Sequence, residues 1–175
     1  VPVEDSPGGP TVAQLCEAYL DHAEERFKHR DNRYSTGEHT GRFGNVKTVV
    51  RHLQEWYDRP TAEITPEDFE AITAKISQRN VVRNTVNKYR RDILSIFRWG
   101  VKRKLVPPGV VPLIQDAGKL EKGRTDVPES EPVTGVPDEV VEKTLVECGE
   151  VVAAMVRLQR LTGMRPGEVC ILKPG

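Results

Sequence analysis

The segment from Arg83 to Lys104 constrains the fold most, because its apolar residues recur at helical rather than strand spacing. Residues three or four positions apart share one face of an α-helix, so the segment predicts a long helix with one buried side. Pro107 and Pro108 then end the helix, since proline cannot donate a backbone hydrogen bond and restricts the residue before it. The predicted buried stripe comprises Val86, Tyr89, Ile93, Ile96, Phe97 and Val101.

Three earlier helices are predicted on the same grounds. Thr11 and Gln14 form a capping-box pattern at the start of the first helix. The second helix is an amphipathic pattern over residues 46–57, and the third begins with Thr65 as its N-cap and Pro66 at its first position. Because no alternating strand pattern of useful length appears, the sequence predicts an all-α fold.

Turn-forming residues divide the chain into four predicted parts. Residues 1–10 are rich in proline and glycine and are expected to be flexible. Residues 11–106 are predicted to form a four-helix domain. Residues 107–135 hold five prolines and many charges and are expected to be an interdomain linker. Helical patterns resume in residues 136–175 and predict the start of a second domain.

The distribution of charge favours a nucleic-acid partner, although 26 basic and 26 acidic residues cancel over the whole chain. Residues 79–104 contain nine bases and one acid, a net charge of +8. Residues 116–150 contain ten acids and four bases, a net charge of −6. A strongly basic segment of this kind is the electrostatic footprint of a DNA-binding surface.

The fourth predicted helix turns most of its bases to the side opposite the apolar stripe. At about 100° per residue, one face carries Asn84, Lys88, Arg91, Ser95, Arg98 and Lys102. The candidate DNA-binding residues are Arg83, Asn84, Thr85, Asn87, Lys88, Arg91, Arg98, Lys102, Arg103 and Lys104. Weaker candidates are Lys47 and Arg51 on the second helix and Arg42 upstream of it. The alternative interpretation is a solvated polar face, but such faces normally mix both signs of charge.

No other chemistry is indicated by the composition. The three cysteines are widely spaced and match neither a metal-ligand pattern nor a disulfide framework, so no metal and no cofactor are expected. There is no signal segment and no apolar run of membrane-spanning length. We therefore expect a cytoplasmic protein without a membrane partner.

A helix–turn–helix corner is predicted between residues 158 and 172. Gly163 is suited to end one helix and Pro166 to begin the next. Arg165 lies at the junction, where a guanidinium beside unpaired backbone N–H groups favours a phosphate. Glu168 is placed to orient Arg165. The alternative is a tight corner that carries an ordinary surface arginine.

These residues support a resemblance to a known family. The segment TGMRPGE, residues 162–168, resembles the first conserved box of the tyrosine recombinases, the phage-integrase family. Residues 83–89 and 96–100 are similar to two parts of the last main helix in that family's core-binding domain. The resemblance covers roughly residues 11–175. It implies a four-helix SAM-like core-binding domain, followed by the first helices of a truncated α+β catalytic domain.

The family resemblance also implies an activity. Members cut and rejoin DNA strands through a phosphotyrosine intermediate, without a metal, and assemble as tetramers on double-stranded DNA. Arg165 would clamp the scissile phosphate and Glu168 would support it. The family's lysine, His-x-x-Arg box and nucleophilic tyrosine lie farther along the chain, while every tyrosine and histidine here precedes residue 90. We therefore expect an inactive, DNA-binding fragment of a site-specific recombinase that acts in DNA integration and recombination.

Two alternatives remain open on the sequence. A non-catalytic DNA-binding regulator of the helix-turn-helix type would also present a basic helix. A helical protein-interaction module could instead use the acidic residues 116–150.

Overall fold

A computed structural model of the chain describes residues 8–27 and 41–172, and over those residues it contains eight α-helices and no β-strand. The predicted all-α character is therefore confirmed. Most of the predicted flexible segment, residues 1–7, lies outside the described residues. The helices are α1 (Val12–Phe27), α2 (Gly41–Arg51), α3 (Pro66–Ser77), α4 (Arg83–Lys102), α5 (Val110–Ile114), α6 (Asp138–Val146), α7 (Glu150–Thr162) and α8 (Pro166–Cys170).

Side-chain caps begin two of these helices as the sequence predicts. At α1, the backbone N–H of Thr11 donates to Oε1 of Gln14 at 2.9 Å, and the N–H of Gln14 donates to Oγ1 of Thr11 at 3.3 Å. At α3, Thr65 exchanges the equivalent pair of hydrogen bonds with Asp68. Each pair satisfies backbone groups that a helix start otherwise leaves unpaired.

The second helix differs from its prediction. The pattern over residues 46–57 predicts one helix, but α2 ends at Arg51 and a single 3-10 turn follows at Gln54–Trp56. Leu53 and Trp56 are both buried in this turn. Residues three apart share a face in either kind of helix, so the apolar spacing could not distinguish them.

The chain forms two compact units, which we call unit 1 (Val1–Ser130) and unit 2 (Glu131–Gly175). In unit 1, α4 contacts α1, α2, α3 and α5 and supplies the centre of the hydrophobic core. The rings of Phe69 and Phe97 meet edge to face, with centroids 6.2 Å apart. A β-carbon at Gly100 would lie 2.6 Å from Leu15 and 2.7 Å from Val106, so a glycine is needed for this close packing.

The predicted linker is a packed part of unit 1 over most of its length. We call residues 107–130 the strap, because they lie against α3 and α4. Val110 and Ile114, four positions apart on α5, are buried. The linker prediction is therefore wrong for these residues, because prolines and charges concealed a short apolar helical face. Of the predicted linker, only residues 131–135 belong to unit 2, and these five residues are exposed.

Unit 2 consists of α6, α7 and α8. Its buried apolar residues among those described are Leu145, Ala153 and Val169. Gly163 adopts the left-handed conformation, φ 68°, at the end of α7, and its N–H donates to the carbonyl of Gln159 at 2.8 Å. The predicted helix end is therefore confirmed.

Candidate nucleic-acid interface

The polar face of α4 is exposed as the sequence predicts. Asn84, Lys88, Arg91, Ser95, Arg98 and Lys102 are all solvent-exposed. On the opposite side of the helix, Val86, Ile93 and Phe97 are completely buried. Packing of the apolar stripe therefore fixes the rotation of α4 and directs its cations to solvent. We call Lys88, Arg91, Arg98 and Lys102 the cationic face.

The cationic face is not neutralised by acids. Among the described residues, no carboxylate lies within ion-pair distance of its four side chains. The one acid on α4, Asp92, is partly buried beside this face. Burial raises the pKa of the Asp92 carboxyl, and the neighbouring charges of Lys88 and Arg91 oppose that rise. The face therefore keeps a net positive charge.

The cationic surface extends from α4 onto α2. A cavity of about 410 Å³ is lined by Arg42 and Asn45 of α2 and by Lys88, Asp92 and Ser95 of α4, with further residues of α1, α2 and α4. The fold thus brings Arg42, a weak candidate on the sequence, beside Lys88. Lys47 and Arg51 are also exposed on α2. The ammonium of Lys47 lies 4.6 Å from the ring centroid of Phe43.

Two further exposed bases follow Lys102 at the end of α4. Lys102, Arg103 and Lys104 are exposed, and Lys104 has a left-handed backbone with φ 60°. The guanidinium of Arg103 lies 5.6 Å from the ring centroid of Trp99. The ring of His22 also stacks on Trp99, with centroids 5.2 Å apart. Trp99 is therefore engaged within the protein.

Two of the predicted DNA-binding residues, Arg83 and Asn87, contact the strap. Arg83 pairs with Glu129 at 2.5 Å and donates to the carbonyl of Leu120 at 3.2 Å. This pairing raises the pKa of the Arg83 guanidinium and lowers that of the Glu129 carboxyl. The side-chain amide of Asn87 donates to the carbonyl of Leu120 at 2.9 Å and accepts from its N–H at 3.0 Å. Thr85 is partly buried in the first turn of α4.

Two basic residues next to this surface, Arg90 and Lys119, were not predicted from the sequence. Arg90 is 5% exposed and its guanidinium lies 5.9 Å from the ring centroid of Phe69. Its spacing from Val86 and Ile93 places it on the apolar stripe, which was a usable sign that it is buried. Lys119 lies on the strap, but lines a cavity together with residues of α4. No sequence pattern connects positions so far apart.

The corner at Arg165 forms as predicted, and its geometry is local. Oε2 of Glu168 accepts from the backbone N–H of Arg165 at 2.9 Å, and Oε1 accepts from its Nη1 at 3.3 Å. The Arg165 side chain is 86% exposed. Glu168 therefore contacts both the backbone and the side chain of Arg165, while the rest of the guanidinium faces solvent. Its role toward a phosphate stays a prediction.

The described part of the chain shows no group of three or more His, Cys, Asp or Glu residues that could hold a metal ion. Within it, no helix is both long and apolar enough to cross a membrane. Tyr89 packs against the core and its ring lies 5.0 Å from that of His52, as expected for a structural residue. Tyr34, His29 and His39 lie outside the described residues.

No protein-family model, curated protein or solved structure matches the chain. The likeness to the tyrosine recombinases therefore rests on the residues quoted above.

Proposed function

We propose that unit 1 binds double-stranded DNA and that the chain is the DNA-binding part of a site-specific tyrosine recombinase. The observation that carries the proposal is the cationic face of α4, whose four bases are exposed and unpaired with acids among the described residues. A helix anchored by its apolar stripe can present such a face to the phosphates that flank a major groove. Arg42, Lys47 and Arg51 extend this surface onto α2.

In this proposal, the helices of unit 1 form a SAM-like core-binding domain. Unit 2 corresponds to the opening helices of an α+β catalytic domain, in which Arg165 holds the scissile phosphate and Glu168 holds Arg165. Negative charge builds up on that phosphate in the transition state, so a positioned guanidinium stabilises it. The full recombinase would supply the nucleophilic tyrosine from another segment and act as a tetramer on DNA.

Salt-dependent binding to a fluorescently labelled DNA duplex tests the first part of the proposal, that unit 1 binds DNA. Each phosphate contact contributes about −0.9 to the slope of log affinity against log salt concentration. The double variant Lys88→Glu, Arg91→Glu removes two contacts from the cationic face, so its slope should be shallower by about 1.8. Fluorescence anisotropy over a salt series measures both slopes.

A matched control is the double charge reversal Lys75→Glu, Arg124→Glu. These bases lie in unit 1, but off α4, in exposed pairs with Glu55 and Glu121. Exposed pairs contribute little stability, so this variant should fold and keep the original slope. Equal slopes for both double variants, or binding by the original chain that ignores salt, would overturn the proposal.

A non-catalytic regulator would use the same cationic face to bind DNA. A test of Arg165 distinguishes such a regulator from a recombinase. In a protein that joins this chain to a catalytic tyrosine, Arg165→Ala should lower strand cleavage by roughly 10³-fold or more, as for other arginines in phosphoryl transfer. Because Arg165 is outside the cationic face, duplex affinity should change little. Normal cleavage by that variant would refute the assignment of Arg165, whereas no cleavage by the unmutated joined protein would favour the regulator.

A further inference from the structure

A second cavity lies where the strap meets α4. Its volume is about 280 Å³, and its lining residues are Asn84, Asn87, Arg90 and Arg91 of α4 and Lys119 of the strap. Three of the five are cationic, two carry amides, and none is acidic. This is the lower end of the size range of ligand pockets, which suits a small polar group. We call this cavity the strap pocket.

The strap pocket contains a buried charge that is not paired with a carboxylate. Arg90 is 5% exposed, and its Nε donates to the carbonyl of Ala117 at 2.6 Å while Nη2 donates to the carbonyl of Gln115. Among the described residues, no acceptor contacts its Nη1 and no acid forms an ion pair with it. Burial lowers the pKa of Arg90, and the charge of Asp116 opposes that effect. Because only neutral carbonyls contact this guanidinium directly, its positive charge favours a further anion in the cavity.

Hydrogen bonds from α4 hold the strap backbone on both sides of Lys119. The side-chain amide of Asn87 forms hydrogen bonds with both the N–H and the carbonyl of Leu120. Arg90, one turn further along α4, binds the strap backbone at residues 115 and 117. Lys119 lies between these anchor points and lines the same cavity as Arg91. Asn87 and Arg90 are therefore positioning residues for Lys119.

We propose that the strap pocket binds a phosphate group, held between Lys119 and Arg91 with the amide of Asn84 as a further donor. The cavity adjoins the cationic face, since Arg91 belongs to both surfaces. We assign the group to a phosphodiester of duplex DNA, an assignment that rests on the proposed function. The strap thereby adds a phosphate contact from outside α4. A free phosphate ion has the same chemistry and is the other source.

Salt titration of three lysine variants of the full chain tests the DNA source. Lys119→Gln removes one phosphate contact, so the slope of log affinity against log salt should be shallower by about 0.9. Lys119→Arg restores the positive charge and should restore the slope. Lys75→Gln, the same change on α3, should leave it unaltered, because Lys75 is paired with Glu55 away from the pocket.

The outcomes separate this proposal from the proposed function. If Lys119→Gln keeps the original slope while Lys88→Glu, Arg91→Glu flattens it, the strap pocket is refuted and DNA binding by α4 stands. If the original chain shows no salt-dependent binding, the proposed function fails and the DNA source fails with it.

The second arm uses inorganic phosphate and does not depend on DNA. In nuclear magnetic resonance spectra, phosphate at constant ionic strength should shift the Leu120 amide and the Arg90 Nε–H saturably, and Lys119→Gln should abolish both shifts. Such shifts without duplex binding support a site for free phosphate. Equal shifts with chloride would overturn the phosphate pocket for both sources.

Discussion

Unit 1 and unit 2 are both helical, but they differ in how completely they bury their apolar side chains. In unit 1, large residues such as Phe69, Phe97 and Leu15 are fully buried around α4. In unit 2, Val151 is 73% exposed and Leu161 is 87% exposed. Burial of apolar area is the main stabilising contribution in a small protein. Unit 1 therefore holds most of the stability, while unit 2 presents apolar surface of the kind that interacting segments cover.

The largest expected effect comes from a core deletion in unit 1 compared with a similar deletion in unit 2. Phe97→Ala should lower the free energy of unfolding by about 3–5 kcal/mol, because it leaves a cavity in a packed core. Leu161→Ala should change it by less than about 0.5 kcal/mol, because that side chain is exposed. Urea unfolding followed by far-ultraviolet circular dichroism reports the helices of both units, so a loss of stability in either unit is detected. Similar losses in the two variants would break the comparison.

Hydrogen exchange of backbone amides sharpens the same comparison without mutation. The amides of α4 open only when the core of unit 1 is disrupted, whereas α7 has little buried apolar surface to keep it closed. We expect central α4 amides to exchange at least about a hundredfold more slowly than those of α7, equivalent to about 2.8 kcal/mol. Mass spectrometry of exchanged peptides measures this ratio. Equal protection of the two helices would show that unit 2 is as stable as unit 1.

Substitutions at two glycines of the strap test whether the strap is packed against the rest of unit 1. Gly118 and Gly123 both have left-handed backbones, φ 67° and 75°. A β-carbon at Gly118 would lie 2.5 Å from Oγ1 of Thr73 and 3.1 Å from the carbonyl of Phe69, whereas one at Gly123 meets nothing within 4 Å.

Alanine should therefore have unequal effects at these two positions. At Gly123 it should cost about 1 kcal/mol, from backbone strain alone. At Gly118 it should cost about 2–3 kcal/mol, because the clash with α3 adds to the strain. Thermal unfolding of the two variants measures the difference. Equal losses would mean that the strap is not held against α3.

Local features of the fold could be predicted from the sequence. The Thr65 cap, the left-handed Gly163 and the start of α8 at Pro166 each depend on a few neighbouring residues, so short patterns suffice to find them. The exposed face of α4 was also predictable, because helical periodicity separates its apolar and charged residues. The roles assigned to that face and to Arg165 remain predictions.

The strap could not be predicted, because its stability comes from contacts distant in sequence. Val110 and Ile114 form too short a pattern to stand out among prolines and charges. The hydrogen bonds that hold it come from Arg83, Asn87 and Arg90. On the sequence, these three residues are simply part of a basic helix.

The sequence by itself determined where α1, α3 and α4 begin and that α4 has one apolar and one cationic side, since both follow from short patterns and residue spacing along the chain. Only the tertiary structure decided what each base can do. It buried Arg90, paired Arg83 with Glu129 and placed Lys119 beside Arg91. The physical reason is that a charge is set by its residue type, whereas its partners and its exposure depend on segments that meet only after folding.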